Sequence, residues 1–251
     1  MKLTQKEQQA RKMVCLPLDG LATLDDARAR VEELSPVVGL FKVGKESYTR
    51  FGPDAVKMVQ DYGANVFLDL KYHDIPNTVA NAVESATYLQ PSGNPDLNNT
   101  NKSILMYTLH TTGGKEMLEK AAQTAQKIAQ KLNIRKPLGL GITVLTSEVN
   151  RDNIQNLVVQ RALLAKEAGL DGVVASVHEA PLIRKELGED FVIVTPGIRP
   201  KDADVGDQKR VATPSLAVES GSNYLVVGRP IVKAEDPLAS AQEILKEIQN
   251  A

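Results

Sequence analysis

Short runs of apolar and β-branched residues recur along the whole chain, and most are followed by stretches in which apolar residues return every three or four positions. The short runs predict buried strands, and the longer spacing predicts amphipathic helices. Strands and helices should therefore alternate from one end of the chain to the other. The eight predicted strands cover residues 14–19, 39–44, 65–71, 104–110, 138–144, 172–177, 191–197 and 224–228.

The clearest predicted helices cover residues 23–34, 53–63, 115–132, 156–169 and 236–250. In the last of them, Asp236 is the expected N-cap and Pro237 the first helical residue. Strict alternation implies a parallel sheet, and eight units favour a closed barrel over an open doubly wound sheet. No glycine-rich dinucleotide fingerprint follows the first strand. We predict an α/β fold, a single (β/α)8 TIM-type barrel that forms one catalytic domain over residues 1–251.

Two polar segments interrupt the alternation, at residues 91–103 and 196–215. Both are loops by composition. The first follows a predicted helix, so we expect it on the barrel face opposite the active site. The second follows the seventh strand, and long polar loops in compact domains are often active-site lids.

The composition indicates which classes of binding partner to expect and where in the cell the protein is located. Thirty basic and 31 acidic residues give a net charge of -1, so we expect neither nucleic acid nor a membrane as a partner. Cys15 is the only cysteine, which excludes an intrachain disulfide and a cysteine metal cluster. The sequence shows no signal peptide and no apolar run of membrane-spanning length. We predict a cytoplasmic protein.

Candidate chemistry begins in the third strand. Asp69 and Lys71 are two residues apart, so their side chains share one side of the strand with Phe67. Asp74 follows in the next loop. Barrel enzymes keep their active sites at the carboxyl ends of the strands, and charges there are costly to hold unless they are used. An ion pair that only fills the barrel mouth is the alternative interpretation.

Neighbouring strands add further charges at the same end of the barrel. The first strand ends at Asp19, and Lys42 lies near the end of the second. Three carboxylates could suggest a divalent metal site. The interleaved lysines already supply positive charge, so we predict no metal.

A phosphate site is indicated at the last two strand ends. Gly228 would allow close backbone approach, and Arg229 could form charge-assisted hydrogen bonds with an anion. Barrels often bind phosphate at this position. Arg199 and Gln208, in the loop after the seventh strand, could close over the same anion.

The segment DLKYHDIPNTV (69–79) closely resembles the signature of the orotidine 5'-phosphate decarboxylase family. LPLD, FKVG, LHTTGG, TVLTS, TPGIRP, GDQKRVATP and VVGRPI agree in order and spacing, so the resemblance covers nearly the whole chain. It implies a homodimeric barrel that needs no cofactor or metal. The implied reaction converts orotidine 5'-phosphate to uridine 5'-phosphate, the final step of de novo UMP synthesis.

The resemblance also implies roles for individual residues. Lys71 is similar to the residue that protonates the C6 carbanion, within a catalytic array of Lys42, Asp69, Lys71 and Asp74. Asp19 and Lys42 resemble a ribose-contacting pair, and Thr146 a pyrimidine-side contact. Asp74, Ile75 and Thr78 resemble residues that reach the neighbouring subunit's site. The full set of implied substrate-binding residues is Asp19, Lys42, Asp69, Lys71, Asp74, Ile75, Thr78, Thr146, Pro196, Arg199, Gln208, Gly228 and Arg229.

Three other functions compete with this interpretation. A related group of barrels decarboxylates sugar-acid phosphates with a similar Asp-x-Lys-x-x-Asp pattern and a divalent metal. The chain could also be a non-catalytic protein that binds a nucleotide phosphate and has kept the barrel fold but lost the catalytic activity. An aldolase could use Lys71 as a Schiff base, although flanking carboxylates would keep that lysine protonated.

The remaining reactive side chains receive no catalytic role. His73, His110 and His178 are scattered without metal-ligand spacing. His73 should point away from Lys71, and His110 could either line the pocket or serve packing. Ser176 and Cys15 have no evident base partner.

Overall fold

Eight parallel strands close into a barrel in the computed structural model of the protein, which describes residues 3–90, 103–145, 153–200 and 211–251. Each strand pairs with the next in the chain, and β8 pairs with β1 through Val14↔Leu225 and Cys15↔Val226. The predicted (β/α)8 barrel is confirmed. The strands are β1 Val14–Pro17, β2 Leu40–Gly44, β3 Asn65–Tyr72, β4 Ile104–His110, β5 Leu138–Ile142, β6 Gly172–Val174, β7 Val192–Thr195 and β8 Tyr224–Val226.

Helices separate consecutive strands and form the outer layer. All five stretches with clear helical spacing contain a helix. The helices are α1 Gln5–Met13, α2 Leu24–Leu34, α3 Lys45–Phe51, α4 Asp54–Asp61, α5 Pro76–Tyr88, α6 Lys115–Leu132, α7 Ile154–Glu167, α8 Ala180–Leu187, α9 Pro214–Glu219, α10 Arg229–Val232 and α11 Pro237–Gln249.

Local capping explains where several helices begin. Asp236 accepts a hydrogen bond from the Ala239 backbone N–H at 2.9 Å, and Pro237 is the first residue of α11, as predicted. Helix α1, which the sequence pattern did not reveal, begins with a capping box between Thr4 and Glu7. Within the described ranges, no helix combines the length and apolar character that a membrane span requires.

The strands bury apolar side chains on both faces. Phe67 belongs to a cluster contributed by the strands, while Val66 and Leu68 pack in the larger cluster that includes the helices. This alternation is the one expected of a barrel wall, with one face inward and one toward the helices. The predicted sidedness of β3 is therefore confirmed. The inner cluster consists of Cys15, Leu40, Phe67, Leu105, Met106, Leu140 and Val194.

Two predictions about loops fall wholly or partly outside the described residues. Residues 91–102 of the segment 91–103 and residues 201–210 of the segment 196–215 are not described. The described part of the second segment forms an isolated parallel bridge between Ile198 and Ala212. This bridge brings the two ends of the loop together beside β7.

Candidate active site

Four charged side chains meet at the carboxyl ends of the first three strands. Lys71 Nζ lies 2.7 Å from Asp69 Oδ2, and Lys42 Nζ lies 3.6 Å from the same oxygen. Lys42 Nζ also contacts Asp19 Oδ2 at 3.1 Å. The order Asp19, Lys42, Asp69, Lys71 alternates in sign, so each charge lies next to an opposite one. We call these four residues the charged array.

Burial and the attraction of neighbouring opposite charges shift the pKa values of Asp69 and Lys42 in opposite directions. Burial alone would raise the pKa of Asp69, but Lys42 and Lys71, with hydrogen bonds from Lys71 and Thr108, together lower it. Burial alone would lower the pKa of Lys42, but the attraction of Asp69 and Asp19 outweighs it and raises that pKa. Both groups are therefore charged at neutral pH.

The backbone at Lys71 departs from regular strand geometry. Lys71 has a φ of 52°, in the left-handed region that non-glycine residues seldom adopt. The pairing of β3 with β4 shifts register between Leu68 and Tyr72. The displaced Lys71 N–H donates to Thr108 Oγ1 at 2.9 Å, and Thr108 Oγ1 donates to Asp69 Oδ1 at 2.9 Å. Thr108 is a site neighbour that sequence reasoning missed.

A cavity of about 140 Å³ opens beside the array. This is below the roughly 300–1,000 Å³ of a typical small-molecule pocket, so a ligand of that size would extend beyond it. Lys42, Asp69 and Lys71 form its charged side. The rest of the lining comes from Phe67, Ile142, Val144, Leu145, Val174, Ala175, Ser176, Pro196 and Val226.

Two of the lining residues, Pro196 and Ser176, differ in whether the sequence analysis assigned them a role. Pro196, which the resemblance implies as a substrate-binding residue, is in the lining. Ser176 also lines it, although no role was predicted. Its hydroxyl accepts a hydrogen bond from the His178 backbone N–H at 3.4 Å. The only sequence signal for Ser176 is its position near the end of the predicted sixth strand, 172–177, where barrel active sites lie.

Asp74, Ile75 and Thr78 lie beyond the end of β3, at the start of α5, and all three are exposed. Ile75 is 66% exposed. Asp74 Oδ1 accepts a hydrogen bond from the Ile75 N–H at 2.6 Å. None of the three lines the cavity formed by the described part of their own chain.

The predicted phosphate residues lie at the ends of β7 and β8. Gly228 precedes α10, and a Cβ there would lie 3.0 Å from Pro17 Cγ, so the backbone runs close to β1. Arg229 is the first residue of α10 and is half-buried. Arg199 is buried, and its Nη1 donates to the Ile198 carbonyl at 2.7 Å. Gln208 and Thr146 lie outside the described residues.

The histidine rings of residues 73 and 110 pair with each other. Their centroids are 5.4 Å apart, and neither residue lines the cavity described here. Burial, followed by the charges of His73, Lys45, Lys71 and Arg161, lowers the pKa of His110. Cys15 is fully buried, and burial raises the pKa of its thiol. A neutral buried thiol is a poor nucleophile.

Comparisons with known proteins agree with this geometry. The sequence model of the "Orotidine 5'-phosphate decarboxylase / HUMPS family" matches residues 12–244. The protein named orotidine 5'-phosphate decarboxylase in Syntrophus aciditrophicus (strain SB) is 43% identical, over 99% of this chain and 97% of its own. The one in Moorella thermoacetica is 46% identical over 87% of this chain and 85% of its own.

A solved structure leads to the same group. The crystal structure of orotidine 5'-phosphate decarboxylase from Lactobacillus acidophilus superimposes with a TM-score of 0.74 at 32% identity. The match covers 96% of this chain and 100% of that one. With the family match over most of the chain, these relatives show that the chain belongs to the orotidine 5'-phosphate decarboxylase / HUMPS family.

Proposed function

We propose that this chain decarboxylates orotidine 5'-phosphate to uridine 5'-phosphate, the final step of de novo UMP synthesis, with Lys71 as the proton donor. The observation that carries the proposal is the charged array beside an apolar cavity at the barrel mouth. The names of full-length relatives support the same substrate.

The array suits this reaction because decarboxylation leaves a negative charge on a ring carbon. An ammonium beside that carbon stabilises the charge and then donates the proton. Lys71 can do both, since its Nζ is held at 2.7 Å from Asp69 and belongs to the cavity lining. The fixed charges need little reorganisation as the carbanion forms, which is the usual source of large electrostatic effects in enzymes.

Repulsion between Asp69 and the substrate carboxylate would be a smaller contribution. Two like charges at about 4 Å repel by roughly 4 kcal/mol at an effective dielectric near 20. Enzymes lower barriers by up to about 23 kcal/mol for typical large accelerations. The larger part should therefore come from the preorganised charges and from the energy of binding the phosphate.

We also propose that catalysis needs no metal or cofactor. The donor set supports this, because two ammonium groups already lie within 3.6 Å of Asp69, where a cation would otherwise sit. For the phosphate, we propose Gly228, Arg229, Arg199 and Gln208, with Thr146 and Pro196 toward the pyrimidine. Asp19 and Lys42 would contact the ribose.

The proposed assembly is a homodimer with shared active sites. The exposure of Asp74, Ile75 and Thr78 on one loop and the following helical turn supports their reaching a second copy. Mixing inactive Lys71→Ala with inactive Asp74→Ala chains should then restore part of the activity, because some mixed dimers carry one intact site. Activity that never rises above that of the separate variants would contradict shared sites.

We propose further that residues 1–251 form one catalytic domain in the cytoplasm. The family match over residues 12–244 and the continuous barrel support the first part. The free thiol of the buried Cys15 supports the second.

The reaction itself is tested by following the ultraviolet absorbance of orotidine 5'-phosphate with purified protein, with and without excess chelator. Conversion to uridine 5'-phosphate at the same rate in both samples is the expected result. Loss of activity with chelator would overturn metal independence. A folded dimer that converts no substrate would overturn the decarboxylase assignment and favour a sugar-phosphate substrate or a binding role.

A further inference from the structure

The irregular end of β3 depends on one side chain from the next strand. Regular pairing with β4 stops after Leu68↔Tyr107 and resumes only at Tyr72↔Leu109. Lys71 lies inside this gap with a φ of 52°. Its N–H donates to a side-chain oxygen, Thr108 Oγ1, at 2.9 Å. This hydrogen bond gives a partner to a backbone donor that has left the β-ladder, so Thr108 supports the left-handed conformation of Lys71.

The same hydroxyl orients the carboxylate of Asp69. Thr108 is fully buried, and its Oγ1 donates to Asp69 Oδ1 at 2.9 Å. The other oxygen, Oδ2, faces the two ammonium groups, with Lys71 Nζ at 2.7 Å and Lys42 Nζ at 3.6 Å. The two carboxylate oxygens of Asp69 therefore have different partners: Oδ1 accepts the hydrogen bond from Thr108, and Oδ2 contacts the two lysines.

We propose that Thr108 is a positioning residue for catalysis, which acts through Asp69 and Lys71 rather than on the substrate. Its single hydroxyl accepts from the backbone of the proton donor and donates to the carboxylate that holds that donor's ammonium. The proposal rests on the proposed function for its catalytic meaning. Its structural content, the fixed geometry of Asp69 and Lys71, can be tested without turnover.

Electrostatics gives the proposal a readout that a packing role would not have. Burial raises the pKa of Asp69, and Lys42, Lys71 and the hydrogen bond from Thr108 act against it. The charged groups around Asp69 are Lys42 from β2 and Lys71 from its own strand, with Asp19 beyond Lys42. The neutral thiol of Cys15 lies in the same region on β1. Removing the Thr108 hydroxyl should raise the pKa of Asp69.

Two variants of Thr108 and one control isolate the hydroxyl. Thr108→Val keeps the side-chain shape and leaves Asp69 Oδ1 and the Lys71 N–H without this partner. Thr108→Ser keeps the hydroxyl. Thr111→Val is the control, because Thr111 is 1% exposed, lies three residues further on, and donates its hydroxyl to the Ile142 carbonyl at 2.8 Å. It removes an equally buried hydroxyl that has no contact with the array.

For Thr108→Val we expect kcat to fall about 10- to 100-fold with KM within about 3-fold, as for a lost buried hydrogen bond to a charged group. The acidic limb of its kcat profile should move to higher pH. Thr108→Ser should retain most of kcat, and Thr111→Val should lower Tm without moving the profile. The proposal is overturned if Thr108→Val keeps kcat within about 3-fold, or if Thr111→Val reproduces its loss and its pH shift.

A second measurement needs no activity. In protein labelled with carboxyl ¹³C aspartate, the Asp69 resonance is identified by its loss in Asp69→Asn and is titrated in wild type and in Thr108→Val. A raised pKa in the variant supports the proposal, and an unchanged pKa overturns it. If Thr108→Val does not fold, Thr108→Ala removes the same hydroxyl and is measured in the same way.

The two measurements separate the two proposals. If the wild type does not convert orotidine 5'-phosphate, the proposed function fails, and the titration alone decides whether Thr108 positions Asp69. If the wild type is active and the titration shows no shift, the positioning proposal fails while the function stands.

Discussion

The two halves of the barrel mouth differ in chemistry although the same architecture builds both. The carboxyl-terminal side of β1–β3 carries Asp19, Lys42, Asp69 and Lys71, and each of these side chains contacts an oppositely charged one. Strands β5–β8 present mainly apolar atoms to the same cavity, from residues such as Ile142, Val174 and Val226. Among the described residues, charge is thus concentrated on one wall of the pocket, and the facing wall is mainly apolar.

The difference shows how a single pocket can hold strong charges and still make them effective. Each charge in the array has an opposite neighbour, so the array is assembled before any ligand arrives. The described part of the apolar wall offers few polar groups that could screen the array, and electrostatic interactions strengthen as the local dielectric falls. The charged half carries the groups proposed to act on the substrate, and the apolar half lowers the local dielectric around them.

The largest expected effect follows from removing the proton donor from the charged half. Lys71→Ala should reduce kcat by at least about 10³-fold, because the proton source and the nearest cation are lost together. Folding should survive, since Asp69 keeps Lys42 as a partner. Single-turnover assays and a thermal melt check both points. Retained turnover would remove Lys71 from its proposed role.

Removing the central carboxylate tests whether the array also stabilises the fold. Asp69→Asn should lower the free energy of unfolding by up to about 3 kcal/mol near neutral pH, because the partly buried Lys42 and Lys71 lose a shared partner. The pKa of Asp69 is lowered in the folded state. Its stabilising contribution is therefore complete above the unfolded value of about 3.9 and is lost as pH falls through the lower folded value.

Denaturant unfolding of wild type and Asp69→Asn across pH checks this. The stability difference should be largest between pH 6 and 8 and should shrink below about pH 4. The raised pKa of Lys42 acts at the other end, because its contribution is lost only as pH rises through that value. A stability difference that stays constant down to pH 2 would mean that the carboxylate charge is not the cause.

At the rim of the apolar half, Arg229→Ala tests the proposed phosphate contact after β8. Loss of one charge-assisted hydrogen-bonding group should reduce kcat/KM by about 10- to 100-fold with little change in Tm. Arg28→Ala is the control, because Arg28 is an exposed arginine paired with Asp25 on α2. Equal kcat/KM in the two variants would exclude Arg229 from the phosphate site.

The smallest expected effect comes from Gly44→Ala, which perturbs the edge of the charged half. An added Cβ would lie 2.8 Å from Lys42 Nζ and 2.9 Å from Asp19 Oδ1, so the ion pair must shift. The φ of Gly44 is -88°, which any residue adopts without strain. We expect kcat/KM to fall about 10-fold, and Tm to fall slightly, because Gly44 is the N-cap of α3 and alanine is a poorer N-cap than glycine. An unchanged kcat/KM would show that the Asp19–Lys42 geometry tolerates displacement.

Many features of the fold and of the candidate site could be predicted from local sequence patterns. Alternating apolar runs and amphipathic stretches predicted eight strand-helix units, and the barrel confirms them. The period-two spacing of Phe67, Asp69 and Lys71 placed them on one side of β3, where they line the cavity together. Asp236 and Pro237 predicted the start of α11, because capping depends on residues within one turn.

Local sequence patterns did not predict three other features: the contacts of Thr108, the position of Ser176 in the cavity and helix α1. Thr108 is 37 residues from Lys71 and 39 from Asp69 in the chain, and only the pairing of β3 with β4 brings them together. Ser176 lines the cavity although no motif marks it. Helix α1 has a strongly polar sequence, and its one fully buried side chain, Ala10, gives little periodic signal.

The sequence by itself determined the eight strands, the five clearest helices, the order of these elements and the charges at the strand ends, because these depend on periodicity and on contacts between near neighbours. The tertiary structure decided the register shift at Lys71, the division of the Asp69 oxygens and the apolar wall that faces them. Those features arise where closure of the barrel brings distant strands side by side, and no local pattern encodes which oxygen meets which donor.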